Sequence, residues 1–146
     1  MRLEKRILVV DDDDAIRALV STVLRRRGFG VDAARHGAEA LERIGRCHYS
    51  LVVLDLMMPR VSGYEVLDHL NGMIASARPL VLVLTAGLEP RNFDPNVVIG
   101  TIQKPFDIEL LVDTVAACLA AINGSAQLDS CPPDEGGIEC TPDKAN

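Results

Sequence analysis

The run Leu51-Val52-Val53-Leu54 ends abruptly on Asp55, and Leu56-Met57-Met58-Pro59 follows. Four apolar residues are too few for a helix, but they suit a central strand buried on both faces of a parallel sheet. Pro59 and Gly63 then break the chain into a loop. A carboxylate attached to a buried strand is costly unless it emerges into a polar crevice. The carboxyl ends of parallel strands form such a crevice, so Asp55 reads as the reactive residue.

The same pattern recurs along the chain. Ile7-Leu8-Val9-Val10 runs into Asp11-Asp12-Asp13-Asp14, Leu80 to Leu84 ends at Thr85, and Val97 to Ile102 ends near Lys104. Val31-Asp32-Ala33-Ala34 reads as a short edge strand. Between these runs, apolar residues repeat at helical spacing: Ile16, Leu19, Val20, Val23 and Leu24; Ala38, Leu41 and Ile44; Val66, Leu67, Leu70, Met73 and Ile74. Ile108, Leu111, Val112, Val115, Leu119 and Ile122 form a last stripe. Asp13 or Asp14 can cap the first helix, and Ser62 can start the third. Strands alternating with helices predict right-handed βαβ units around one parallel sheet.

One connection departs from this rhythm. Gly87, Pro90 and Pro95 between Thr85 and Val97 leave little room for a helix, so the fourth helix is expected to be reduced or missing. From Asn123 the composition turns to Gly, Ser, Pro and acids. The expected division is a folded domain over 1–122 and an acidic, flexible tail over 123–146.

Composition narrows the function classes. No apolar run approaches the roughly 20 residues that span a bilayer, and the charged start does not look like a secretion signal, so a cytosolic location is expected. A net charge of −6 carries no nucleic-acid footprint. The one basic cluster, Arg25-Arg26-Arg27, falls at a helix C-terminus, where cations offset the helix dipole. Cys47, Cys118, Cys131 and Cys140 show neither metal-ligand nor redox spacing. Cys47 and Cys118 read as reduced thiols on helices, whereas Cys131 and Cys140 lie in the tail.

In an open sheet ordered 2-1-3-4-5, the first and third strands flank the switch point, so Asp11, Asp12 and Asp55 share one crevice. Two carboxylates ~4 Å apart repel by ~1 kcal/mol in water and ~4 kcal/mol at an effective dielectric of 20. Lys104 offsets part of that charge, and a hard divalent cation on oxygen ligands, Mg²⁺ above all, would offset the rest. Asp55 is then poised to attack a phosphoryl group. Lys104 would face the transferring oxygens, the Thr85 hydroxyl would donate to one of them, and small Ala86 would leave the site open.

Val10-Asp11-Asp12 with Arg17, Asp55 to Pro59 with Gly63, Thr85-Ala86 and Lys104-Pro105-Phe106 together resemble the receiver domain of two-component response regulators. The likeness covers about residues 5 to 122. It implies a (βα)5, flavodoxin-like α/β fold in which Asp55 accepts a phosphoryl group from a histidine kinase or phosphotransfer protein. It further implies that Asp12 binds Mg²⁺ directly, that Asp11 acts largely through water, and that the Met57 backbone carbonyl is another ligand. Thr85 and Lys104 would sense the phosphate and move inward, shifting a two-state surface.

Two departures stand out. The family usually carries an aromatic ring three residues before the lysine, where this chain has Thr101, and the fourth helix looks lost. Signalling is therefore expected to use the Ala86 to Asn96 loop or the helix beginning near Asp14. The alternatives are a receiver-like binding module that is never phosphorylated, and a Mg²⁺-dependent phosphohydrolase. The latter lacks the second acid it would need, since position 57 is Met. The short acidic tail supplies no output domain, which suggests a stand-alone receiver or a piece of a longer regulator or hybrid kinase.

Overall fold

The computed structural model of the chain describes residues 6–58, 61–87 and 93–129. Pro59, part of the Ala86 to Asn96 loop, and the tail beyond Asp129, with Cys131 and Cys140, lie outside these residues.

Strands β1 (Arg6–Val10), β2 (Gly30–Ala34), β3 (Leu51–Asp55) and β4 (Leu80–Thr85) are joined by helices α1 (Asp14–Arg26), α2 (Gly37–Arg46) and α3 (Gly63–Asn71), and β5 (Val98–Gln103) is followed by α4 (Ile108–Asp129). All strand pairs are parallel, in the order β2-β1-β3-β4-β5. This is the one parallel sheet that the strand-helix alternation predicts, in the doubly wound 2-1-3-4-5 order of the flavodoxin-like fold that the resemblance implies, with four helices among the described residues.

Two-residue periodicity divides each strand between two apolar layers. Ile7 and Val9 join Leu51, Val53, Leu82 and Leu84 beneath α1 and α4. Leu8 and Val10 face the other way, with Val52, Leu54, Val81 and Val83 beneath α2 and α3. β3 is buried along its whole length, as a central strand covered on both faces must be.

Helix starts follow local chemistry. Asp13 caps α1, its carboxylate accepting from the Ala15 and Ile16 N–H groups at 2.9 and 3.1 Å. His36 caps α2 through Nδ1, and Asp107 accepts from the Glu109 N–H at the start of α4. Arg25 and Arg26 occupy the last turn of α1. Arg27 pairs with Asp113 of α4 at 2.8 Å, which gives the basic cluster a structural occupation.

Several positions differ from the helical stripes. In α2 the buried residues are Gly37, Ala40 and Ile44, while Ala38 is exposed, because the helix begins at Gly37 and turns that side chain outward. Leu19 on α1 is half exposed. Helix α3 stops at Asn71 with Gly72 as its C-cap, so Ile74 leaves the stripe and stands in solvent. Cys47 is the C-cap of α2 rather than a helical residue, and it is half-buried, as is Cys118. The last helix continues past the composition change at Asn123 as far as Asp129, since composition alone does not mark where backbone hydrogen bonding ends.

No helix stands between β4 and β5 among the described residues. A turn at Asp94 leads into β5. The Asp94 carboxylate accepts from Asn96 N–H, and its carbonyl accepts from Val97 and Val98 N–H. Phe93 and Val97 pack onto the core beside α3, leaving a cavity of about 290 Å³ between Tyr64, Leu67 and that turn. No helix among the described residues is long and apolar enough to cross a membrane.

Candidate functional site

Of the buried polar or charged side chains among the described residues, Asp11, Asp55 and Thr85 stand at one sheet edge; only Ser21 lies elsewhere, in α1. Asp11 follows β1 and Asp55 ends β3. These two strands pair directly, although α1, β2 and α2 separate them in sequence. They therefore meet at the switch point of the winding, where the helices change faces.

Gly63 brings the loop after β3 close to the site. A Cβ there would lie 2.6 Å from the Asp55 carbonyl and from the Leu56 Cα, so only glycine lets α3 begin against the end of β3. The Gly63 N–H donates to the Leu56 carbonyl at 3.1 Å and closes this turn.

Asp11 is held from several directions. Its N–H donates to Ala34 O, its carbonyl accepts from Arg17 Nη1 at 2.9 Å, and Oδ1 accepts from Asp13 N–H at 2.9 Å. Oδ2 faces Lys104 Nζ at 3.1 Å. That is an ion-pair distance without the direction of a hydrogen bond, so a buried carboxylate oxygen is left with no donor. Lys104 also reaches Asp55 Oδ2 at 3.3 Å. The Met57 N–H donates to Asp55 Oδ1 at 3.2 Å, while the Met57 side chain is exposed.

Thr85 lies one residue beyond Leu84, the register partner of Asp55. Its hydroxyl accepts from Gly87 N–H at 2.9 Å, and its carbonyl accepts from Lys104 N–H at 2.7 Å. Gly87 adopts φ +89°, a conformation that favours glycine, and the Gln103 side chain lies against it.

The electrostatics follow from this crowding. Burial, then repulsion from Asp11, pushes the Asp55 carboxyl up to about 6, against the opposing pull of Lys104 and the Met57 N–H. Burial alone would lower the Lys104 ammonium, but Asp11 and Asp55 outweigh it and hold its pKa above the ordinary value.

Asp11, Asp12 and Asp55 each offer an oxygen within 4.8 Å of the others. The profile of the response regulator receiver domain matches residues 7–116. The chain belongs to this family.

Among its relatives is the response regulator MprA of Mycobacterium leprae, 37% identical over 121 residues; the match covers 78% of this chain and 50% of MprA. The chain thus spans about half the length of that relative. A CheY-like response regulator receiver domain protein from Methanospirillum hungatei superposes with a TM-score of 0.71 at 26% identity, over 82% of this chain and 98% of that one. TrrA from Thermotoga maritima, solved with Mg²⁺ and BeF, superposes at 0.66 with 33% identity, over 77% of this chain and 97% of its own.

The receiver's acidic cluster fits a hard cation. Three carboxylate donors converge, and the buried Asp11 Oδ2 has no hydrogen-bond donor of its own. Asp12 is exposed beside it. Thr101, at the position where the family usually carries a ring, is also exposed and pairs with Val83 across the sheet. Two features of the receiver site were not legible as chemistry in the sequence: the Arg17 contact with the Asp11 carbonyl and the Gly87 contact with the Thr85 hydroxyl. Arg17 belonged to the motif, but only the turn into α1 shows what it touches.

Proposed function

We propose that this receiver domain accepts a phosphoryl group on Asp55 from a histidine kinase or histidine phosphotransfer protein and signals through protein contacts. The observation that carries this reading is the near-buried Asp55 carboxylate, 3.3 Å from Lys104 and grouped with Asp11 and Asp12. With a pKa of about 6, Asp55 is largely ionised at neutral pH and can act as a nucleophile. An Asp55 oxygen bonds to phosphorus as the P–N bond of the donor phosphohistidine breaks, and the electron pair leaves with the imidazole. Asp11, Asp12, Asp55 and the Met57 carbonyl would hold Mg²⁺, which when bound offsets charge on the transferring oxygens. Lys104 adds a fixed cation, and the Thr85 hydroxyl is a donor for one phosphoryl oxygen.

The domain is an acceptor rather than a turnover enzyme, and it works in the cytosol beside its kinase. We assign no nucleic-acid contact to the domain itself: Arg27 of its basic cluster is already paired with Asp113, and Arg25 donates to the Val31 carbonyl.

Intact mass after acetyl phosphate treatment tests the proposal. The wild-type chain should gain one phosphoryl group with Mg²⁺ and none with EDTA, and Asp55→Asn should gain none in either case. Labelling that survives Asp55→Asn contradicts it. A wild-type chain that never labels would favour a binding module driven by protein contacts alone, a reading supported by exposed Thr101.

A further inference from the structure

We propose that Arg17 is the positioning residue of the metal-binding loop, holding Asp12 in place through the Asp11 carbonyl; this rests on the Mg²⁺ reading above. Asp11 is fully buried, so each of its polar groups needs a partner. Its N–H has Ala34 O, its Oδ1 has Asp13 N–H, and its carbonyl has the Arg17 guanidinium at 2.9 Å. Only Oδ2, turned toward Lys104, is left for a ligand.

The Asp11 carbonyl and the Asp12 N–H belong to one rigid peptide plane, so fixing one orients the Cα of the other. No hydrogen bond or ion pair among the described residues holds the Asp12 side chain. Its placement is therefore inherited from that plane.

The guanidinium spans the loop. Nη1 takes the Asp11 carbonyl, while Nη2 pairs with Asp14, so Arg17 brackets Asp12 and Asp13 from both ends. Its side chain is 15% exposed, whereas Asp14 is 85% exposed. The Asp14 pair alone is thus a weak surface contact, and the buried contact with the carbonyl is the one that matters. Lysine cannot bridge both points with one ammonium.

Charge and geometry predict opposite signs for the same substitution. A cation beside an acidic loop repels a divalent ion, so simple electrostatics says that removing Arg17 tightens Mg²⁺ binding. Positioning says that it weakens binding, because the freed carbonyl lets the peptide plane rotate and Asp12 drift. Arg17→Met removes charge and span together, and Arg17→Lys keeps the charge while losing the span.

The test is calorimetric titration of Mg²⁺ into the EDTA-stripped and dialysed full chain, below the melting temperature of every variant. Arg17→Met should bind roughly tenfold more weakly than wild type. Arg17→Lys should weaken in the same direction, by about threefold or more. Should Arg17→Met fail to fold by circular dichroism, the Arg17→Lys isotherm decides. Wild-type affinity in the folded variants, or tighter binding, overturns the positioning role while leaving the metal site intact. A wild-type chain that takes up no Mg²⁺ overturns the metal reading and this inference together.

Discussion

Asp55 is an expensive residue for the metal-free protein. Unfolded, its carboxyl titrates near 3.8; folded, burial and Asp11 raise it to about 6. Between those values the native state binds more protons than the unfolded chain, so stability falls as pH rises through this window. The contribution is fully present below about pH 4 and gone above about pH 6, a difference on the order of 2–3 kcal/mol. Asp55→Asn removes the buried charge. In EDTA at pH 7.5 it should therefore be more stable than wild type, with the gap closing near pH 4. Denaturant melts at the two pH values check this, and a wild type that is the more stable at pH 7.5 contradicts it.

At the scale of elements, the edge strand β2 is tied to the sheet by more than its ladder. Asp32, near its middle, accepts from Tyr49 Oη at 2.6 Å and from Arg6 Nη2 at 2.9 Å, joining β2 to β1 and to the entry of β3. Burial pushes the Asp32 carboxyl up, but the Tyr49 and Arg6 hydrogen bonds outweigh it and leave the pKa below the ordinary value. Tyr49 itself is almost wholly buried, and its hydroxyl is pushed to a higher pKa by that burial and by Asp32. Tyr49→Phe should cost about 1.5–3 kcal/mol at neutral pH, the usual worth of a hydrogen bond to a charged group. Asp32 has a depressed folded pKa, so its stabilisation is present above the ordinary carboxylate pKa and is lost as pH falls through the folded value. The penalty should accordingly shrink in acid. A penalty that is the same at pH 7 and pH 3 would show that packing, not the hydrogen bond to Asp32, is what the phenyl ring loses.

At the scale of the whole molecule, the proposed phosphorylation of Asp55 would add charge at one sheet edge that has to reach a binding surface. Thr85 connects to Gly87 through its hydroxyl and to Lys104 through its carbonyl, and Gln103 lies against Gly87. A donor drawn toward Asp55 would therefore disturb both ends of the β4–β5 connection, with no aromatic ring at Thr101 to carry the shift. Amide exchange with and without saturating beryllofluoride should show altered protection in residues 86–96, in the first turns of α1, or in both. Unchanged protection in both regions at saturation would sink this route. Lys104→Ala should still label with acetyl phosphate but leave exchange unaltered, if Lys104 is the cation that reads the phosphoryl group as proposed.

Much of this was legible in the residues themselves. Buried strands announce themselves as short apolar runs, and the acids at their ends mark where the apolar stretch must stop. The alternation with helical stripes implied a parallel sheet, and the prolines around the β4–β5 connection argued against a helix there. Local sequence was a poorer guide wherever a side chain's fate depends on which way an element is rotated. Ala38 points outward and Ile74 escapes the core because helix phase and length are set by packing against the sheet. What the sequence determined by itself was the set of chemical groups and the order of elements, since both follow from short-range pattern. Only tertiary structure decided that Asp11 would be wholly buried, that Lys104 would sit 3.1 and 3.3 Å from two carboxylates, and that Arg17 would grip a carbonyl. Those distances arise where chain segments far apart in sequence converge at a sheet edge, and no local pattern encodes them.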